Sequence, residues 1–123
     1  MNNRVTVLLA SKSSFLRAYF RLVIEGRPRF QVIGEAASPA SAVRLAEQKR
    51  PQIVVLGHSH DGNDFFESIW RMNQDKRTAC LIVGAGEHAS SVLERARELG
   101  VGAVIMENED PSDLIKRLEE IGG

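Results

Sequence analysis

Short apolar runs alternate with longer amphipathic runs along the whole chain. Val5-Thr6-Val7-Leu8-Leu9-Ala10 is continuous and β-prone, the pattern of a strand buried on both faces. Ser13 or Ser14 caps a helix through about Ile24, and Gly26 and Pro28 break it. Phe30 to Ala36 reads as a second strand with weaker alternation. Ser38 caps the next helix, with Pro39 in its first turn, where no intrahelical N–H is needed. Ala42, Val43, Leu45 and Ala46 give that helix its apolar stripe. Pro51 stops any continuation, and Pro51-Gln52-Ile53-Val54-Val55-Leu56-Gly57 reads as a third, buried strand running into a loop. Asn63 or Asp64 begins a helix carrying Phe66, Ile69 and Met72. Ala79 to Val83 is a fourth strand. Ser90 or Ser91 lies early in a helix with Val92, Leu93, Ala96 and Leu99, closed by Gly100. Ala103 to Met106 is the fifth strand, and Asp110-Pro111 opens a last helix with Leu114, Ile115, Leu118 and Ile121 on one face.

Five β-α units with nearly unbroken apolar strands predict a parallel sheet covered on both faces. Right-handed crossovers put helices on both sides. The expected fold class is α/β, a flavodoxin-like (βα)5 doubly wound sheet of order 2-1-3-4-5, in a single domain over residues 1–123. No internal repeat, low-complexity tract or long linker interrupts it, and the chain closes almost as soon as the fold does, which leaves no room for an output domain. Sites in such folds lie at the carboxyl ends of the strands, so the loops after Ala10, Leu56, Val83 and Met106 carry the interest.

Composition narrows the classes. The chain has 123 residues, 43% of them hydrophobic, enough for one core of ordinary depth. Sixteen basic and sixteen acidic residues cancel, so no basic excess points to nucleic acid or a membrane surface. No apolar run approaches the roughly 18 residues of a membrane span, and the first residues lack the shape of a signal peptide. The single cysteine, Cys80, sits in an apolar run and reads as a buried structural thiol. A cytoplasmic, disulfide-free protein is expected.

Val7-Leu8-Leu9-Ala10, Val32-Ile33-Gly34-Glu35-Ala36 and Arg50-Pro51-Gln52-Ile53-Val54-Val55-Leu56 resemble bacterial response-regulator receiver domains. The likeness is greatest to the subfamily whose members often carry a C-terminal helix-turn-helix. Glu98-Leu99-Gly100-Val101-Gly102-Ala103 and Asp110-Pro111-Ser112-Asp113-Leu114 continue it. These are scaffold motifs, which speak for fold more than for activity. The resemblance implies two metal-binding acids after the first strand; here stand Ser11 and Lys12. It implies a phosphoacceptor aspartate after the third strand, a hydroxyl residue after the fourth and a lysine after the fifth; here stand Gly57, Gly84 and Glu107. The aromatic switch position of the fifth strand is Val104.

Those exchanges remove the chemistry. Mg²⁺ takes hard carboxylate oxygens. A lysine in its place repels a unit charge at about 4 Å by roughly 4 kcal/mol at an effective dielectric of 20, and a divalent ion doubles that. Phosphoryl transfer depends on the metal and positioned cations, and Gly57 supplies no nucleophile. Lys12 and Glu107 invert the family's charge placement and are a candidate salt bridge across the pocket, against the alternative that both face water. No enzyme activity, cofactor or metal is expected.

Other chemistry is thinner. His58-Ser59-His60-Asp61, with Asp64 and His88, has no metal-ligand spacing and reads as a solvated loop, neither a metal site nor a phosphorylation site. Gly84-Ala85-Gly86 lacks the spacing of a P-loop or dinucleotide fingerprint. What remains is surface. Phe15, Tyr19 and Leu22 repeat on a helix stripe distinct from Leu16, Phe20, Val23 and Ile24, and in the resembled family this helix helps to dock a histidine kinase or phosphotransfer protein. Phe65 and Trp70 lie off the stripe of their helix. Glu94, Arg95, Arg97, Glu98, Lys116, Arg117, Glu119 and Glu120 give mixed charge to the region the family uses for dimerisation, near Val104.

The reading is a pseudo-receiver in bacterial signalling that acts through phosphorylation-independent protein–protein contact. Its expected partner is a histidine kinase, a phosphotransfer protein, another regulator or a second copy of itself. The alternatives are a small-ligand sensor in the vacated pocket, or the N-terminal regulatory domain of a helix-turn-helix regulator.

Overall fold

The computed structural model describes residues 4–57, 62–72, 74, 79–84, 94–95, 97–99, 103–106 and 111–122, with the backbone alone for 62–65, 79–84, 103–106, 111 and 122. Five parallel strands form one sheet: β1 (Val5–Ala10), β2 (Phe30–Ala36), β3 (Ile53–Gly57), β4 (Ala79–Gly84) and β5 (Ala103–Met106). Their hydrogen-bonded order is β2-β1-β3-β4-β5. The helices are α1 (Ser14–Glu25), α2 (Pro39–Lys49), α3 (Gly62–Met72) and α4 (Pro111–Gly122). Residues 94–95 and 97–98 are also helical; Val92, Leu93, Ala96 and Gly100, expected in that helix, lie outside the described residues.

Local chemistry sets the helix ends. Ser13 is the N-cap of α1, its hydroxyl accepting from Leu16 N–H at 3.1 Å. Ser38 does the same for α2 toward Ser41 N–H at 3.1 Å, with Pro39 following. At the far end of α2, Arg50 takes φ 47°, the left-handed region. Pro51 disfavours a right-handed helical residue before it, and a left-handed residue satisfies an orphan carbonyl through its N–H, here to Ala46 O at 2.8 Å. The third helix starts at Gly62, ahead of the expected Asn63 or Asp64, and β4 continues one residue past Val83 to Gly84.

Two cores flank the sheet. Val5, Val7 and Leu9 of β1 and Ile53 and Val55 of β3 face α1 and α4, where Phe20, Ile24, Leu114, Ile115 and Leu118 cover them. Leu8, Ala10, Val54 and Leu56 face the other way, against Ala42, Val43 and Ala46 of α2 and Ile69 and Met72 of α3.

The second strand changes sides partway. Val7 pairs with Val32, but Leu8 pairs with Gly34, so Ile33 is an extra residue in the ladder. Before the bulge, Phe30 and Val32 pack with the α1 face; after it, Ala36 packs with the α2 face. Strict alternation would have kept all three together. The irregular pattern in the sequence has this cause. The shift turns Gly34 toward Leu8, whose Cδ1 would stand 3.0 Å from any Cβ there, and turns Glu35 toward α1.

Burial ranks the helix positions. Leu118 is fully buried and Leu22 is 77% exposed. Leu118→Ala is expected to cost about 2–5 kcal/mol of unfolding free energy, whereas Leu22→Ala stays within ~0.5 kcal/mol; urea denaturation measures both.

Candidate functional site at the strand ends

Side-by-side strands bring the loop after β1 against the end of β3. Ala10 pairs with Leu56, so Ser11 and Gly57 are the next neighbours along the two strands. Ser11 N–H donates to Ala36 O at 3.0 Å, continuing the β1–β2 ladder one residue beyond β1. The Ser11 side chain is buried, and its Oγ accepts from Ser13 N–H at 3.1 Å. A Cβ placed on Gly57 would stand 3.0 Å from Ser11 Oγ and 3.1 Å from Ser11 Cβ. Carbon atoms in contact sit at about 3.5–4.0 Å. A side chain at position 57 would therefore press on the hydroxymethyl group of Ser11, which would have to give by a few tenths of an ångström.

A charged network reaches the same loop from below. Arg17 Nη1 donates to Ser11 O at 2.5 Å, and Arg17 Nε pairs with Glu35 Oε1 at 3.3 Å. The second oxygen of Glu35 receives Arg21 Nη1, and Arg21 Nε reaches Glu25 Oε1 at 3.0 Å. Glu25, and after it Glu35, raise the Arg21 pKa above its ordinary value by hydrogen bonding to the charged form. Arg21 is thus a cation at every pH the fold meets. Arg17, Arg21 and Glu35 escaped sequence reasoning. The i, i+4 spacing of the arginines is visible in the chain, but Glu35 reaches them only because of the bulge at Ile33.

The remaining expected site residues divide. Lys12 is exposed beside Ser11. Glu107 lies outside the described residues, and with it the candidate Lys12–Glu107 pair, as do His58, Ser59, His60, Asp61, Ala85, Gly86 and His88 and the side chains of Asp64, Phe65, Cys80 and Val104. Gly84 ends β4 opposite Met106. On α1, Phe15 and Leu22 are each 77% exposed and Tyr19 is 37% exposed, a solvent-facing apolar stripe. Trp70, 55% exposed, lines a groove of about 470 Å³ with Phe66, Glu67, Arg95 and Leu99. Arg95 lies over the Phe66 ring at 5.2 Å, a cation–π contact. Lys116 is exposed on α4.

A doubly wound α/β domain with its loops gathered at the carboxyl ends of β1 and β3 is the class this geometry defines. No family model matches the chain. The protein-glutamate methylesterase/protein-glutamine glutaminase of Thiobacillus denitrificans is 28% identical over 100 residues, covering 79% of this chain and 28% of that protein. The nitrate/nitrite response regulator NarL of Escherichia coli K12 is 23% identical over 115 residues, covering 94% of this chain and 53% of that protein. The chain thus spans about half the length, or less, of these curated relatives. A LuxR-family two-component response regulator from Aurantimonas superposes with a TM-score of 0.87 at 28% identity, over 97% of this chain and 85% of that one. NarL and the Aurantimonas protein are response regulators, and the chain has the receiver fold.

The Glu35 network is half-buried, with side-chain exposures of 19% at Arg17 and 31% at Glu35. The Arg117–Glu120 pair is more open, at 47% and 57%. Glu35→Ala is expected to lose about 1 kcal/mol at low salt, and Glu120→Ala close to zero. In 1 M NaCl the Glu35 effect shrinks; parallel denaturation curves at two salt concentrations check this.

Proposed function

We propose that this receiver-fold chain works without phosphorylation, as a pseudo-receiver that presents a fixed surface to a protein partner in two-component signalling. The observation that carries the reading is Gly57 with Ser11 seated against it. An aspartate there would act as nucleophile, and the flanking acids would hold the metal that neutralises the transferring group. Glycine has neither carboxylate nor Cβ, and Ser11 and Lys12 offer Mg²⁺ no carboxylate. The domain is accordingly non-catalytic.

The α1 stripe supports binding as the remaining role. Two large apolar side chains seven residues apart, with Tyr19 between them, present one line of contact along the helix. Isolated exposed apolar residues are ordinary, but an aligned set suits a helical or grooved protein partner. A histidine kinase, a phosphotransfer protein, another regulator or a second copy fits that chemistry. The sensor alternative draws on the same position, where Ser11 is buried beside Gly57. The regulator alternative draws on the half-length match to NarL, a response regulator.

Acetyl phosphate, or beryllofluoride, with Mg²⁺ is the direct test. The expected outcome is no gain in mass and no shift in melting temperature. A saturable, Mg²⁺-dependent response overturns the reading. Phe15→Ala/Leu22→Ala is expected to leave the melting temperature within about 2 °C of the parent, since neither side chain is buried; differential scanning calorimetry reads it.

A further inference from the structure

We infer that the emptied acceptor position has become a closed structural joint, with Ser11 as its plug and Arg17 as its brace. The inference rests on reading Gly57 as the vacated acceptor, and it adds a conformational device to that reading. Three observations meet at one residue. The Ser11 side chain lies in tight contact with the place a substituent on Gly57 would take, its Oγ 3.0 Å from a Cβ there. Its Oγ is held by Ser13 N–H, the residue that caps α1. Its carbonyl is held by the Arg17 guanidinium, which Glu35 fixes from the other side.

The consequence is mechanical. The loop after β1 is bonded on one side to β2, through Ser11 N–H to Ala36 O and through Arg17 to Glu35. On the other side it is bonded to the first turn of α1, through Ser13 and Arg17. Opening the joint breaks a part-buried hydrogen bond to Ser11 Oγ and strips a cation from a backbone carbonyl, and charge-assisted contacts of that kind are the stronger ones. The loop and α1 therefore move as one body, and the Phe15–Tyr19–Leu22 stripe keeps a single pose relative to the sheet with no ligand bound.

Two measurements made without phosphate or Mg²⁺ test the joint. The first is a double-mutant cycle between Gly57→Ala and Ser11→Gly, read as urea midpoints. Gly57→Ala is expected to lower the midpoint, and to lower it by less than about half as much when Ser11 is already glycine. Additive effects overturn the plug. The second is native-state amide exchange in Arg17→Ala and Arg17→Lys. In Arg17→Ala the Ser13 amide is expected to exchange about tenfold faster, a change of ~1.4 kcal/mol in local opening, while Val7 to Leu9 in β1 keep their protection. Arg17→Lys, which retains the charge but lacks the planar fork, falls between. Unchanged Ser13 exchange in Arg17→Ala overturns the brace, and does so even if Gly57→Ala fails to fold. A positive phosphate-mimic assay defeats the functional reading and leaves both of these results standing, so the two failures are distinguishable.

Discussion

At the ends of β1 and β3 the chain comes so close to itself that a Cβ on Gly57 would stand only 3.0 Å from the Ser11 hydroxyl, in the loop just after β1. Glycine at 57 leaves Ser11 undisturbed there. Each polar contact around the site then has a place. Ser11 Oγ serves the cap of α1, its N–H extends the ladder to β2, and its carbonyl receives Arg17.

The second determinant is one extra residue in an edge strand. A bulge at Ile33 reverses which side of the sheet the end of β2 faces. Ahead of it Phe30 and Val32 complete the core under α1, and beyond it Ala36 completes the core under α2. Glu35 is delivered to the α1 side, where two arginines one helical turn apart meet it. The pairs are modest individually, being partly open to water. Their weight comes from connecting three elements at the loop after β1.

Among the described residues, the outer face of α1 and the groove beside Trp70 carry exposed large apolar side chains. They lie on opposite sides of the sheet, since α1 covers one face and α3 the other. A partner on α1 would rest on an element tied directly to the loop after β1 through Arg17.

Much of this was legible in the residues alone. The period of the apolar positions placed four strands to within a residue and the start of the third two residues early, because strands buried on both faces leave little freedom in what they are made of. Ser38-Pro39 and Pro51 marked helix limits through backbone chemistry that needs no tertiary partner. The missing acids at Ser11, Lys12 and Gly57 were visible as letters. What the chain could not disclose was distance and parity. A bulge leaves no signature in composition, so Glu35 gave no sign of belonging with Arg17 and Arg21. That Ser11 lies close against Gly57 depends on how two segments forty-six positions apart converge, and only packing in three dimensions sets that separation.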